Sequence, residues 1–129
     1  MAEGFPATTG DIFTAADYNG LVAFTIGAAN TVDYTAVIAD AYQVCELMNK
    51  ATAIAFKIPT NASVAFPIGT VLTVLNIGAG TCTISATTSA TTTILSAGTV
   101  AAQPTLGQYK SAACIKTGTD AWYVVGAIG

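Results

Sequence analysis

From residue 58 to residue 109 the chain contains no Asp, Glu, Lys or Arg. The same stretch is rich in Thr, Ser, Ala and Gly and carries β-prone runs such as Thr70-Val71-Leu72-Thr73-Val74-Leu75. Soluble monomers blunt the free edges of their sheets with charges, Lys above all, or with Pro and bulges. A long uncharged β-rich region therefore needs its edges covered by something else. Another copy of the same chain is the expected cover.

A chain of 129 residues is one domain's worth, enough to bury about two-thirds of the surface its unfolded form exposes. Hydrophobic residues make up 53% and charged residues 9%, where an ordinary soluble domain has about 25% charged. The surface must then be built from Thr, Ser and Ala. Every apolar run is broken within a few positions by Thr, Gly, Asn, Pro or Asp, so no helix of membrane-spanning length is expected and no membrane is expected as a partner. Met1-Ala2-Glu3-Gly4-Phe5-Pro6 lacks the basic and apolar regions of a secretory signal, which points to assembly in a cytoplasm.

The net charge is −3, the four cations are all Lys, and neither Arg nor His occurs. Nucleic-acid affinity comes largely from phosphates neutralised by Lys and Arg, so nucleic acid is not an expected partner. General acid–base work is done most often by His. The carboxylate pairs that remain are Asp11 with Asp17, Asp33 with Asp40, and Asp40 with Glu46. Asp11 and Asp17 fall in a turn and a helix start, where capping is the ordinary role, and Asp33 and Asp40 bracket a short strand as turn initiators. A Ser or Cys nucleophile needs an activating base, and no Ser-x-x-Lys occurs. Asp33, Asp40 and Asp120 form no Asp-x-Asp calcium loop. Gly78-Ala79-Gly80 lacks the following Lys-Ser/Thr and helix pattern of a phosphate loop. Cys45, Cys82 and Cys114 are widely spaced, with no C-x-x-C pair; they read as small core thiols, with one disulfide between two of them left open. No catalytic residue, cofactor or metal ligand is expected, and the chain reads as a non-enzyme.

Residues 1–31 read as an N-terminal arm. Gly4, Pro6 and Gly10 punctuate it, and Thr14 starts a helix of about two turns as N-cap, with Asp17 at the positive end of its dipole. So short a helix buries little against itself, and Phe5, Phe13, Tyr18, Leu21 and Phe24 are expected to dock on a partner surface. From Val32 onward the period is two. In 43–48, Val44, Glu46 and Met48 face away from Cys45 and Leu47; in 52–58, Ile54, Phe56 and Ile58 face away from Ala53, Ala55 and Lys57. A strand follows over 70–77, then Gly78-Ala79-Gly80 as a tight hairpin turn, then 81–85. Residues 109–116 and 121–125 flank a four-residue turn and form a closing hairpin with Trp122 and Val124 on one face, Tyr123 and Val125 on the other. Trp122 reads as core rather than as a sugar platform. The expectation is an all-β fold: a compact antiparallel β-sandwich or barrel of about eight strands, residues 32–129 forming an oligomerising β-domain behind a short arm and helix.

Residues 58–84, Ile58-Pro59-Thr60-Asn61-Ala62-Ser63-Val64-Ala65-Phe66-Pro67-Ile68-Gly69-Thr70 through Thr83-Ile84, together with the ending Gly107 to Gly126, resemble a β-module of tailed-bacteriophage virion proteins, which include head fibres, capsid decoration proteins and tail fibres. Thr14-Ala15-Ala16-Asp17-Tyr18-Asn19 is similar to a stretch near the N-termini of such proteins. The resemblance implies a non-enzymatic, commonly trimeric module on the virion, assembled in the host cytoplasm. Its partners would be its own copies and the major capsid protein or another virion protein. A decoration or cement protein, or the base of a head fibre, is the role implied first; a tail-fibre or spike module binding host-surface glycan is the alternative.

Overall fold

The computed structural model of the chain describes residue 15, residues 23–96, 99 and 100 by their backbone, and 103–128. Eleven strands lie among these residues: β1 (Thr25–Asn30), β2 (Tyr34–Thr35), β3 (Val44–Met48), β4 (Ile54–Ile58), β5 (Val71–Asn76), β6 (Cys82–Ala86), β7 (Thr93–Ser96), β8 (Thr99–Val100), β9 (Thr105–Leu106), β10 (Lys110–Gly118) and β11 (Ala121–Gly126). One 3-10 turn, Ile38–Ala41, separates β2 from β3. The chain is an all-β sandwich. Its large sheet has the order β1-β3-β5-β10-β11-β7-β8 and its small sheet the order β2-β4-β6-β9.

Successive strands do not pair with each other in the first half of the chain. They alternate between sheets: β1, β3 and β5 run parallel in the large one, β2, β4 and β6 parallel in the small one. The chain thus winds through three coils stacked along the ladder direction. Beyond β6 it crosses to the far side of the large sheet, where β7 pairs parallel with β11. The strand β9 closes the small sheet antiparallel to β6, and the β10–β11 hairpin fills the centre of the large sheet, antiparallel to β5.

The antiparallel sandwich expected from the alternation is therefore corrected to a mixed one, with five of the nine pairings parallel. The expected hairpin at Gly78-Ala79-Gly80 is a corner between sheets, because β5 pairs with β3 and β10 while β6 pairs with β4 and β9. Neither Gly78 nor Gly80 takes a left-handed φ. They are required for close approach instead. A Cβ on Gly78 would press on the backbone of Lys50, and one on Gly80 on the carbonyl of Thr52, both in the corner of the coil beneath. Backbone hydrogen bonds tie the stacked corners: Asn49 N–H to Asn30 O at 2.7 Å, Ile77 N–H to Met48 O at 2.8 Å, Gly80 N–H to Lys50 O at 2.9 Å. Fully buried Asn76 holds the last corner, donating through Nδ2 to Gly80 O (2.8 Å) and Leu106 O (2.9 Å) and accepting at Oδ1 from Gly78 N–H (3.1 Å).

Eleven strands stand among the described residues where about eight were expected, and β1 lies ahead of Val32, where the alternation was expected to begin. Eight strands have four residues or more, and β2, β8 and β9 have two each. Strand pairing begins at Thr25, inside the segment expected as an arm. Of residues 1–22 only Ala15 is described, helical and exposed, so the rest of the expected arm and helix lies outside the described residues.

Both sheets send alternate side chains into one core: Met48 from β3, Ile54, Phe56 and Ile58 from β4, Leu72 and Val74 from β5, Cys82 and Ile84 from β6, Leu106 from β9, Cys114 from β10, Trp122 and Val124 from β11. Trp122 packs edge-on against Phe66 with ring centroids 5.6 Å apart. Burying each such side chain contributes about 1.5–3 kcal/mol of transfer free energy.

Candidate interaction surface

The large sheet presents its second face outward, and strand register fixes what stands on it. One row runs Ile26–Cys45–Thr73–Ala113–Val125 across five strands. A second runs Ala29–Leu47–Leu75–Ser111, and a third Val71–Ile115–Tyr123–Leu95. None of these thirteen positions carries a charge. Ile26 is 62% exposed, Val125 50%, Tyr123 46% and Val71 42%. A sheet wetted on one side alternates apolar with polar, whereas strands apolar on both sides belong to sheets covered on both. The local signal was already present in β5, where Val71 and Leu75 face outward and Leu72 and Val74 inward; its meaning as an open face needed the register.

A second apolar surface lies elsewhere, a shallow groove of about 550 Å³ lined by Val37, Ile38, Ser63, Val64 and Ala65. Val37 and Ile38 are about half exposed. Of the residues expected to dock on a partner, Phe24 is 55% exposed immediately before β1; Phe5, Phe13, Tyr18 and Leu21 lie outside the described residues.

Several of the scarce charges are turned inward. Asp40 and Glu46, one of the pairs named from sequence, are both buried. Asp40 Oδ2 accepts from Tyr34 O–H at 2.8 Å and from Val37 N–H at 2.9 Å, so it caps the 3-10 turn from within, three residues after the N–H it binds, instead of initiating a turn as expected. Glu46 Oε2 accepts from Asn30 Nδ2 at 3.1 Å. Burial first, then the neighbouring Asp40 carboxyl, pushes Glu46 above the ordinary carboxylate range. The same causes push the Tyr34 phenol upward. This cluster fastens the 3-10 turn to β3. Asp33 acts separately, accepting from Ala55 N–H at 3.0 Å and pairing with Lys57 at 3.7 Å on the surface.

Lys116 is 2% exposed. Its Nζ donates to Asn61 Oδ1 at 2.6 Å and Phe66 O at 2.7 Å and stands 6.0 Å from the Trp122 ring centroid. Asp120 Oδ1 completes the clamp, accepting from Asn61 N–H at 2.7 Å and Thr92 O–H at 3.1 Å. The network pins the long β4–β5 connection to the closing hairpin. All three cysteines are free thiols. Burial pushes Cys82 up to about 11 and Cys114 up to about 12, which suppresses the reactive thiolate.

Fold and surface together define a small, coil-wound β-sandwich whose outward sheet face is uncharged and, among the described residues, uncovered. Comparison with protein-family models, with curated proteins and with solved structures returns no match.

Proposed function

We propose that the chain is a structural subunit of a tailed-phage virion, a capsid decoration or cement protein or the base of a head fibre, which stabilises the head as a homo-oligomer. The observation that carries this reading is the pair of separate uncharged apolar surfaces, the outward sheet face and the groove at Val37 and Ile38. A decoration subunit needs two contacts, one with its own copies and one with the lattice beneath. Exposed apolar patches of this extent on a small domain mark interaction sites. The resemblance of residues 58–84 and 107–126 to phage virion β-modules supports the same role.

Cementing follows from multiplication of modest contacts. Linking several lattice-binding subunits through one oligomer raises avidity by effective concentration, without new chemistry. Co-sedimentation with expanded capsids that lack the protein tests the reading. Saturable binding, with capsids that then resist heat-induced rupture, is the expected result. Protein left wholly in the supernatant, or retained instead on host envelope polysaccharide, refutes it.

A further inference from the structure

We infer that the outward face of the large sheet packs against the same face of a second copy of this chain. The inference rests on the self-associating subunit proposed above and assigns the surface through which association occurs. Three observations carry it.

The first is the two-sided apolar character of the central strands. In β5 and β11 the inward residues Leu72, Val74, Trp122 and Val124 are buried, yet the outward Val71, Tyr123 and Val125 are as apolar as the core. The second is neutrality. With no formal charge on any of the three rows, the face offers nothing for an acidic or basic partner to pair with, and two copies meet without like-charge repulsion. An isologous contact requires that kind of self-complementary surface.

The third is size. The six strands that carry the rows, spaced about 4.8 Å apart and averaging about six residues at about 3.3 Å, give a face of about 600 Å². Two such faces bury about 1,200 Å² together, the lower end of what specific, stable interfaces use. Tyr123 sits in the third row between Ile115 and Leu95, where an aromatic ringed by aliphatic neighbours has the character of an interface anchor. Cys45 lies on the first row between Ile26 and Thr73 and provides a native reporter of coverage.

Sedimentation velocity of the full chain, wild type and with Tyr123→Lys or Val125→Glu, tests the assignment. Both side chains are about half exposed in the isolated chain, so the fold should tolerate the changes, with far-UV circular dichroism as the check. The wild type is expected to sediment as an oligomer, and each variant to self-associate about a hundredfold more weakly. Val32→Lys, at an exposed turn off the face, should leave association unchanged. A second measurement needs no variant: iodoacetamide should label Cys45 slowly in concentrated wild-type protein and faster on dilution through the dissociation range. A monomeric wild type overturns the inference, including the case in which residues 1–22 of the same chain cover the face. So does an oligomer indifferent to both face variants. A monomer that still co-sediments with capsids overturns this inference and leaves the decoration role standing; an oligomer that dissociates with the variants but ignores capsids does the reverse.

Discussion

Replacing Gly80 with alanine separates the coil-wound sandwich from a simple meander of hairpins. In the stacked corners, an added Cβ meets the Thr52 carbonyl and approaches Thr52 Cα at 2.8 Å. The corner must retreat by about 1 Å to restore ordinary contact, and overpacking of that kind costs about 1–3 kcal/mol. Retreat also stretches two hydrogen bonds, Gly80 N–H to Lys50 O and Asn76 Nδ2 to Gly80 O. Because Asn76 is fully buried, each lost partner adds about 1–3 kcal/mol. The sum is about 3–9 kcal/mol, a large share of the roughly 5–15 kcal/mol that holds a domain together. With a urea m-value of about 1.5 kcal/mol/M, the unfolding midpoint should fall by about 2–6 M. Gly69→Ala supplies the contrast. Gly69 has φ +94° and open space around its Cβ position, so only backbone strain of about 1–2 kcal/mol opposes the change. Urea unfolding followed by Trp122 fluorescence should rank Gly80→Ala far below Gly69→Ala. Equal costs, or the reverse order, would refute the stacked-corner reasoning.

Lys116→Met should destabilise by about 2–4 kcal/mol in the same assay, because it strands the Asn61 Oδ1 and Phe66 O acceptors; a change under about 0.5 kcal/mol would show the clamp to be slack. Glu46 is held above its ordinary carboxyl range in the fold, so the folded state binds its proton more tightly than the unfolded chain. Its contribution is complete below the unfolded carboxyl value of about 4.3 and is lost as pH rises through the folded value. The wild-type midpoint should therefore decline with rising pH over that window, and Glu46→Gln should flatten the decline; identical profiles would exclude Glu46 as its source. At pH 8, Cys82 and Cys114 should resist alkylation until the protein unfolds, and mass spectrometry showing either labelled in the native state would contradict their burial.

The strands were legible where a local pattern suffices. Ile54, Phe56 and Ile58 alternate with Ala53, Ala55 and Lys57, and the structure buries the first three. The hairpin around Thr117–Asp120 was legible for the same reason, with Trp122 and Val124 inward and Tyr123 and Val125 outward. Pairing was not. A run such as Val71–Asn76 reads identically whether its neighbour is the next strand or one a coil away, since the period of two records faces and not partners. The glycines at 78 and 80 misled for a related reason. A residue without Cβ serves a left-handed turn or a close backbone approach equally well, and only the stacking of that corner on Lys50 and Thr52 selects between them.

The candidate surface divides the same way. Absence of charge between residues 58 and 109 raised, from composition alone, the expectation that sheet edges in a β-rich region are covered. Which atoms form the outward face depends on the register that aligns Ile26, Cys45, Thr73, Ala113 and Val125 from five distant segments into one row. Composition and alternation act through each residue's own solvation and are written locally; the winding, the inward turn of Glu46 and Lys116, and the open sheet face arise from contacts between segments far apart in the chain, which only the folded arrangement specifies.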